Sequence, residues 1–205
     1  MPEISSCLSQ HSHDTFVKIW KIDETADFFH KFPDSWSMPP IQAHLQANKY
    51  LESMAARYCL WELMKSQKLT DFDLQQDDRQ RPFLLHPEWH ISISHSYPFA
   101  AACLSKKLRT GIDIEKIGRN VEQVAPRFLN SFELAQWKGD PMKLTLAWSA
   151  KESIYKAWRK PGLSLQKEIH LVINHNQIQG KVLQNDVVEV RFEIHDDFLL
   201  TLVNH

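Results

Sequence analysis

Gly111-Ile112-Asp113-Ile114-Glu115 and, further along, Trp148-Ser149-Ala150-Lys151-Glu152-Ser153-Ile154-Tyr155-Lys156 are the stretches from which the rest of the chain is best read. On a strand, Ile112 and Ile114 point to one side while Asp113 and Glu115 point together to the other. The first face suits a core, and the second offers paired carboxylates. In the later run Trp148, Glu152 and Lys156 are four residues apart, so a helix there carries them as one stripe, with Ile154 and Ala157 left for burial. A third carboxylate can then meet the first two.

Three acids brought together repel one another and hold their protons more tightly unless a cation sits among them. Hard oxygen ligands of this kind suit Mg²⁺, which keeps several waters and shares its coordination sphere with substrate phosphates. The residues therefore point to a magnesium-dependent reaction at a phosphate ester or diphosphate. The same spacing also fits an ordinary strand with an acidic solvent face, and Glu152 four residues before Lys156 is the favourable order for a plain helix ion pair.

A chain of 205 residues with 43% hydrophobic and 24% charged residues can bury a large core, as one domain or two small lobes. A formal net charge of -1 argues against a broad nucleic-acid surface. The histidines are scattered, and the close pair His11 and His13 has no Cys or carboxylate cluster beside it, which speaks against zinc. Cys59 and Cys103 sit among apolar neighbours like small buried hydrophobes, and with Cys7 they fit a reducing compartment. Residues 1–14 lack the pattern of a secretory signal, and no apolar run approaches the ~20 residues needed to span a bilayer. The expectation is a cytoplasmic protein without a membrane partner.

Along the chain, residues 15–22 read as an opening strand, residues 34–40 as a proline-marked loop and residues 41–65 as a long helix. Residues 71–81 read as a polar loop ending at Arg81-Pro82. Residues 90–94 and the small, apolar run 99–104 read as strands separated by His95-Ser96-Tyr97-Pro98, the second buried on both faces. A basic link at residues 106–110 suggests a boundary, giving lobes at 1–107 and 108–205. Residues 121–137 hold two short helical patterns, and Pro141 opens a second long helix that Pro161-Gly162 stops. Three strands follow, at 168–174, 187–194 and 198–203. The fold class is α+β, with two similar lobes, each a long helix on a small antiparallel sheet, and a ligand cleft expected at their junction.

These residues resemble the signature motifs of the Sfp-type 4′-phosphopantetheinyl transferases. Arg81-Pro82, Ser94-His95-Ser96, Arg127-Phe128-Leu129 with Glu133, and Gly162-Leu163-Ser164-Leu165 are similar to further blocks of that family in the same order, so the resemblance covers roughly residues 80–165. It implies a monomeric pseudo-dimer that moves the phosphopantetheine arm of coenzyme A to a serine of an apo acyl or peptidyl carrier protein, releasing adenosine 3′,5′-bisphosphate.

By motif position, the resemblance makes Asp113, Glu115 and Glu152 the Mg²⁺ ligands at the diphosphate. Glu152 is also the candidate base for the carrier serine, and Lys156 the group that neutralises or protonates the leaving phosphate. The same motif leaves Lys151 pointing another way, as a residue that holds the fold. Ser94, His95 and Arg81 fall where the family contacts coenzyme A phosphates, while Gln80 stands where family members often have Gly. The basic residues that the family places around its first long helix are sparse: His44, Lys49 and Arg57, of which Lys49 and Arg57 are the nominated phosphate ligands. Ile117, Gly118, Arg119, Arg127, Phe128 and Leu129 follow the metal strand where the family docks its carrier, Phe128 and Leu129 being equally suited to core packing.

Two other readings compete. One is another Mg²⁺-dependent phosphodiester enzyme, against which the lack of a basic, aromatic groove counts. The other is a non-catalytic module that binds coenzyme A or carrier proteins, against which the full set Asp113, Glu115, Glu152 and Lys156 counts.

Overall fold

The computed structural model describes residues 3–8, 14–29, 31, 36, 47–174, 176–183 and 186–205. The loop expected at 34–40, apart from Trp36, lies outside them, as do the helix start expected at 41–46, His44, and the pair His11 and His13. The chain divides into two compact units, Met1–Arg109 and Thr110–His205. It is an α+β protein with antiparallel sheets.

In the first unit, β1 (Glu3–Ile4) and β2 (Thr15–Lys21) are followed by a single turn α1 (Ala26–Phe29) and the long α2 (Ala47–Ser66). Then come β3 (Leu74–Gln76), β4 (Pro82–Leu84), β5 (Trp89–Ser96) and β6 (Phe99–Lys106). The sheet order is β1-β2-β6-β5, all antiparallel, with β3 and β4 forming a separate hairpin. Ala100 and Ala102 of β6 sit beneath α2, where small side chains let Met54, Ala55, Cys59 and Leu63 close onto the sheet. Burying each Leu or Met of this kind contributes about 1.5–3 kcal/mol. Strand β6 is buried on both faces from Phe99 to Ser105, as its near-continuous apolar run predicts.

The polar stretch at 71–81 is not all loop. It contributes β3, paired Leu74↔Leu84 and Gln76↔Pro82. The turn is organised by Asp77, whose Oδ1 accepts the N–H groups of Arg79 and Arg81, both at 3.0 Å. Gln80 within it has φ 62, the left-handed conformation that Gly adopts at least cost.

The second unit runs β7 (Thr110–Lys116), α3 (Ala125–Phe128), α4 (Ser131–Trp137), α5 (Pro141–Trp158), β8 (Ile169–Asn174), β9 (Gln177–Val182), β10 (Asp186–Ile194) and β11 (Phe198–Asn204). The sheet order is β7-β11-β10-β9-β8, again antiparallel throughout. Strand β9 was not expected from sequence. Its Gln-Ile-Gln-Gly-Lys-Val hides a two-residue period, because one of the three inward positions is Gly180. A Cβ there would lie 2.4 Å from Ile154 Cδ1, so the missing side chain makes room for α5.

Helix α5 starts at Asp140, whose side chain accepts the N–H of Lys143 at 3.0 Å, with Pro141 in the first turn. It ends at Arg159, left-handed at φ 50. Helix α4 begins with a full capping box between Asn130 and Glu133. Among the described residues no helix is long and apolar enough to cross a membrane.

Candidate active site

Strand β7 settles where its side chains go. Ile112 and Ile114 are fully buried on the face opposite α5. Asp113 and Glu115 lie on the α5 side, and that face is buried too, leaving them only 4% and 6% exposed. The acidic solvent face of an ordinary strand is therefore excluded.

Helix α5 crosses this face at short range. A Cβ on Gly111 would sit 1.9 Å from the carbonyl oxygen of Ser153 and 2.8 Å from the N of Ala157, so only Gly lets the backbones approach this far. Hydroxyls fix the contact. Thr201 Oγ1 lies 2.9 Å from Ser149 Oγ and 2.6 Å from Ser153 Oγ, and Ser153 Oγ also donates to Thr201 O at 3.1 Å.

The docking carries the Trp148, Glu152, Lys156 stripe onto the acids. Trp148 Nε1 donates to Glu115 Oε1 at 2.6 Å, and Lys156 Nζ donates to Asp113 Oδ1 at 2.7 Å and to Ile112 O at 3.0 Å. Arg119, four residues beyond Glu115, donates to its Oε2 at 2.7 Å. Glu152 lies one turn from each of the other two stripe residues and is half-buried. Burial pushes its carboxyl up to about 7, with Asp113 and Glu115 adding to the effect and Lys156 opposing it. Burial also raises Glu115, helped by Asp113 and opposed by Arg119 and Trp148. All three acids thus feel one another. Among the described residues no three His, Cys, Asp or Glu side chains close to ligand distance around one point; Lys156, Trp148 and Arg119 occupy carboxylate oxygens of Asp113 and Glu115 instead.

Lys151 holds the fold. It is fully buried and donates to Glu133 Oε2 at 2.6 Å and to the carbonyls of Phe128, Leu165 and Ile169 at 2.9, 2.9 and 2.7 Å. Glu133 in turn accepts the N–H of Leu171 at 2.7 Å. One ion pair thereby ties α5 to α3, α4, β8 and the segment before β8. The sequence named Lys151 for this role but not its partner, which the capping-box spacing of Asn130 and Glu133 could have flagged. Phe128 and Leu129 are each 1% exposed and belong to the core of this unit, which decides for core packing between the two roles open to them. Arg119 and Arg127 are exposed, and so is Phe132, at 74%.

In the first unit Lys49 and His95 meet on a residue the sequence did not single out. Glu52, 2% exposed, lies with Oε1 2.7 Å from Lys49 Nζ and 3.3 Å from His95 Nδ1. Its Oε2 accepts the Tyr97 N–H at 2.7 Å. Burial works to raise this carboxyl, but His95 and Lys49 outweigh it and bring it down to about 2. Glu52 falls three residues after Lys49, a spacing that could have flagged the pair. Ser94 is buried on β5. Arg81 is held by Asp77 Oδ2 at 2.8 Å. Arg57 is buried, bonded to Ser53 O at 3.1 Å and to Ser53 Oγ, and stands roughly 140° around α2 from Glu52. The structure therefore joins Lys49 to His95 and gives Arg57 and Arg81 partners of their own.

Residues 109–203, nearly the whole of the second unit, match the family model of the 4′-phosphopantetheinyl transferase superfamily. The chain is also similar to enterobactin synthase component D of Salmonella typhimurium, 33% identical over 128 residues, which make up 55% of this chain and 54% of that protein. The proteins of the same name from Salmonella typhi and Salmonella austin are 38% and 36% identical over 94 and 97 residues, in each case 41% of this chain and 40% of theirs. The matched part thus spans about half the length of these curated relatives or less.

Proposed function

We propose that the protein transfers the 4′-phosphopantetheine group of coenzyme A to a serine of an apo carrier protein, in a Mg²⁺-dependent reaction that releases adenosine 3′,5′-bisphosphate. The observation that carries this reading is the convergence of Asp113 and Glu115 from β7 with Glu152 and Lys156 from α5, inside the segment that matches the superfamily.

The donor set fits the cation. Burial raises the proton affinity of Glu152 and Glu115, and Asp113 adds to both shifts, so the carboxylates that face one another here are short of positive charge, and oxygen is the ligand Mg²⁺ prefers. Asp113, Glu115 and Glu152 would hold it, and when bound it neutralises charge on the diphosphate of coenzyme A. Trp148 steadies Glu115 through its indole N–H. In the reaction the carrier serine oxygen forms a bond to the phosphorus that bears the pantetheine arm, and the bond from that phosphorus to the bridging oxygen breaks. Glu152 takes the serine proton, a role separable from metal binding alone if Glu152→Gln loses transfer while Mg²⁺ still raises its melting temperature. Lys156 meets the charge that develops on the departing phosphate. Positioning and electrostatics do most of the catalysis in such transfers.

The same reading assigns Ser94, His95, Arg81, Lys49 and Arg57 to coenzyme A, with the first unit as its coenzyme A side and the second as the catalytic side of a monomeric pseudo-dimer in the cytoplasm. The test is to mix the protein with coenzyme A, Mg²⁺ and several apo carrier proteins and weigh the carriers intact. A phosphopantetheine adduct, lost in Asp113→Ala, is the expected result. Coenzyme A binding without transfer to any carrier would turn the reading to a binding module.

A further inference from the structure

Among the described residues of the first unit Glu52 is the most deeply buried carboxylate that makes ion pairs, yet both of its cationic partners reach solvent. Lys49 is 58% exposed and His95 32% exposed, against 2% for Glu52. An ordinary surface pair has both members in water and contributes little. Here the acid is fixed from beneath by the Tyr97 N–H at 2.7 Å, across 45 residues of chain, so it cannot follow a mobile lysine outward. The cations are oriented by the acid and not the reverse.

The consequence for His95 is chemical. Nδ1 lies 3.3 Å from the Glu52 carboxylate, so that nitrogen faces the acid and Nε2 is the nitrogen left for anything else. An imidazole protonated on both nitrogens donates to Glu52 from one and to an anion from the other. Lys49 supplies a second donor from the same carboxylate oxygen.

We propose that Glu52 is a positioning residue for phosphate recognition, holding the His95 ring and the Lys49 ammonium in place to receive a phosphate group of coenzyme A. This rests on the coenzyme A reading above and adds to it a residue that touches no ligand itself. Glu52 acts through His95 and Lys49.

The experiment compares wild type, Glu52→Gln, His95→Ala and the double variant for binding of coenzyme A and of adenosine 3′,5′-bisphosphate by calorimetry. Gln keeps the volume and an acceptor for Tyr97, so the fold is expected to survive, checked by circular dichroism. Glu52→Gln should bind roughly ten- to hundredfold more weakly, the range for losing a charged hydrogen-bond partner. In the double variant the two losses should be far from additive, since one acts through the other. In turnover, the KM for coenzyme A should rise with kcat little changed. Nitrogen-15 shifts of the wild-type His95 ring give a readout that needs no variant: Nδ1 should carry a proton with and without adenosine 3′,5′-bisphosphate. Unchanged affinity in Glu52→Gln, full additivity with His95→Ala, or a bare Nδ1 each overturns the role of Glu52 while leaving the transferase reading standing. A wild-type protein that binds no coenzyme A overturns both.

Discussion

The backbone of Ser153 on α5 occupies the space that a side chain on Gly111 of β7 would need, with only 1.9 Å between its carbonyl oxygen and the position of the missing Cβ. Backbone atoms cannot rotate away as a side chain can, so even one methyl must push helix and strand apart. Gly111→Ala is expected to cost at least about 2–3 kcal/mol, in the range of severe overpacking. It should also separate Glu152 and Lys156 from Asp113. Urea denaturation followed by tryptophan fluorescence checks the first effect, and a midpoint equal to wild type would show that the approach is looser than described.

The Lys151–Glu133 pair gives a prediction of opposite design. Both side chains are out of water, at 0% and 2% exposure, so removing one charge strands the other. Lys151→Met is expected to lose about 3–5 kcal/mol. Adding Glu133→Gln should recover part of that, because Gln at the third helical position can still complete the cap with Asn130. Chemical denaturation of the single and double variants tests this, and a double variant less stable than Lys151→Met alone would contradict it.

Acid stability of the first unit should depend on Glu52. Its carboxyl is brought from 4.5 to about 2 by His95 and Lys49. A group lowered on folding contributes stability above its unfolded pKa and loses it as pH falls toward the folded one. The contribution should therefore be complete above about pH 5 and disappear between about pH 4.5 and 2. Because Lys49 is half in solvent, its size is discounted to about 1–3 kcal/mol. Melting temperatures of wild type and Glu52→Gln against pH should converge toward pH 2; a gap that widens on acidification would have the wrong sign.

The sequence disclosed what depends on period and spacing. The helix stripe of Trp148, Glu152 and Lys156, the alternation of β7 and the doubly buried β6 all follow from such patterns, and so does the meeting of Trp148 with Glu115 and of Lys156 with Asp113. What it hid depends on contacts distant along the chain. Strand β9 was masked by Gly180, whose purpose is visible only with Ile154 above it. Phe128 and Leu129 read as surface or core alike until α5 was placed over them. Glu52 looked like any helix acid, because nothing local says that Tyr97 and His95 come back to it. Gln80 was a visible departure from Gly, and the structure keeps the glycine-like backbone in spite of it.

The last prediction concerns Arg119, which is 56% exposed and holds Glu115 Oε2 at 2.7 Å. Its guanidinium supplies positive charge at the carboxylates where the proposal puts Mg²⁺, so the two cations compete for the same oxygen. Removing Arg119 takes away little direct stability, about 1 kcal/mol or less for so exposed a partner. It leaves Glu115 beside Asp113 and Glu152 with less compensation, however, and an external cation then has more repulsion to relieve. The rise in melting temperature on adding Mg²⁺ should accordingly be larger in Arg119→Ala than in wild type, by linkage between binding and folding. Equal rises would mean that Mg²⁺ does not engage Glu115, and a smaller rise would mean that Arg119 assists the metal and does not compete with it.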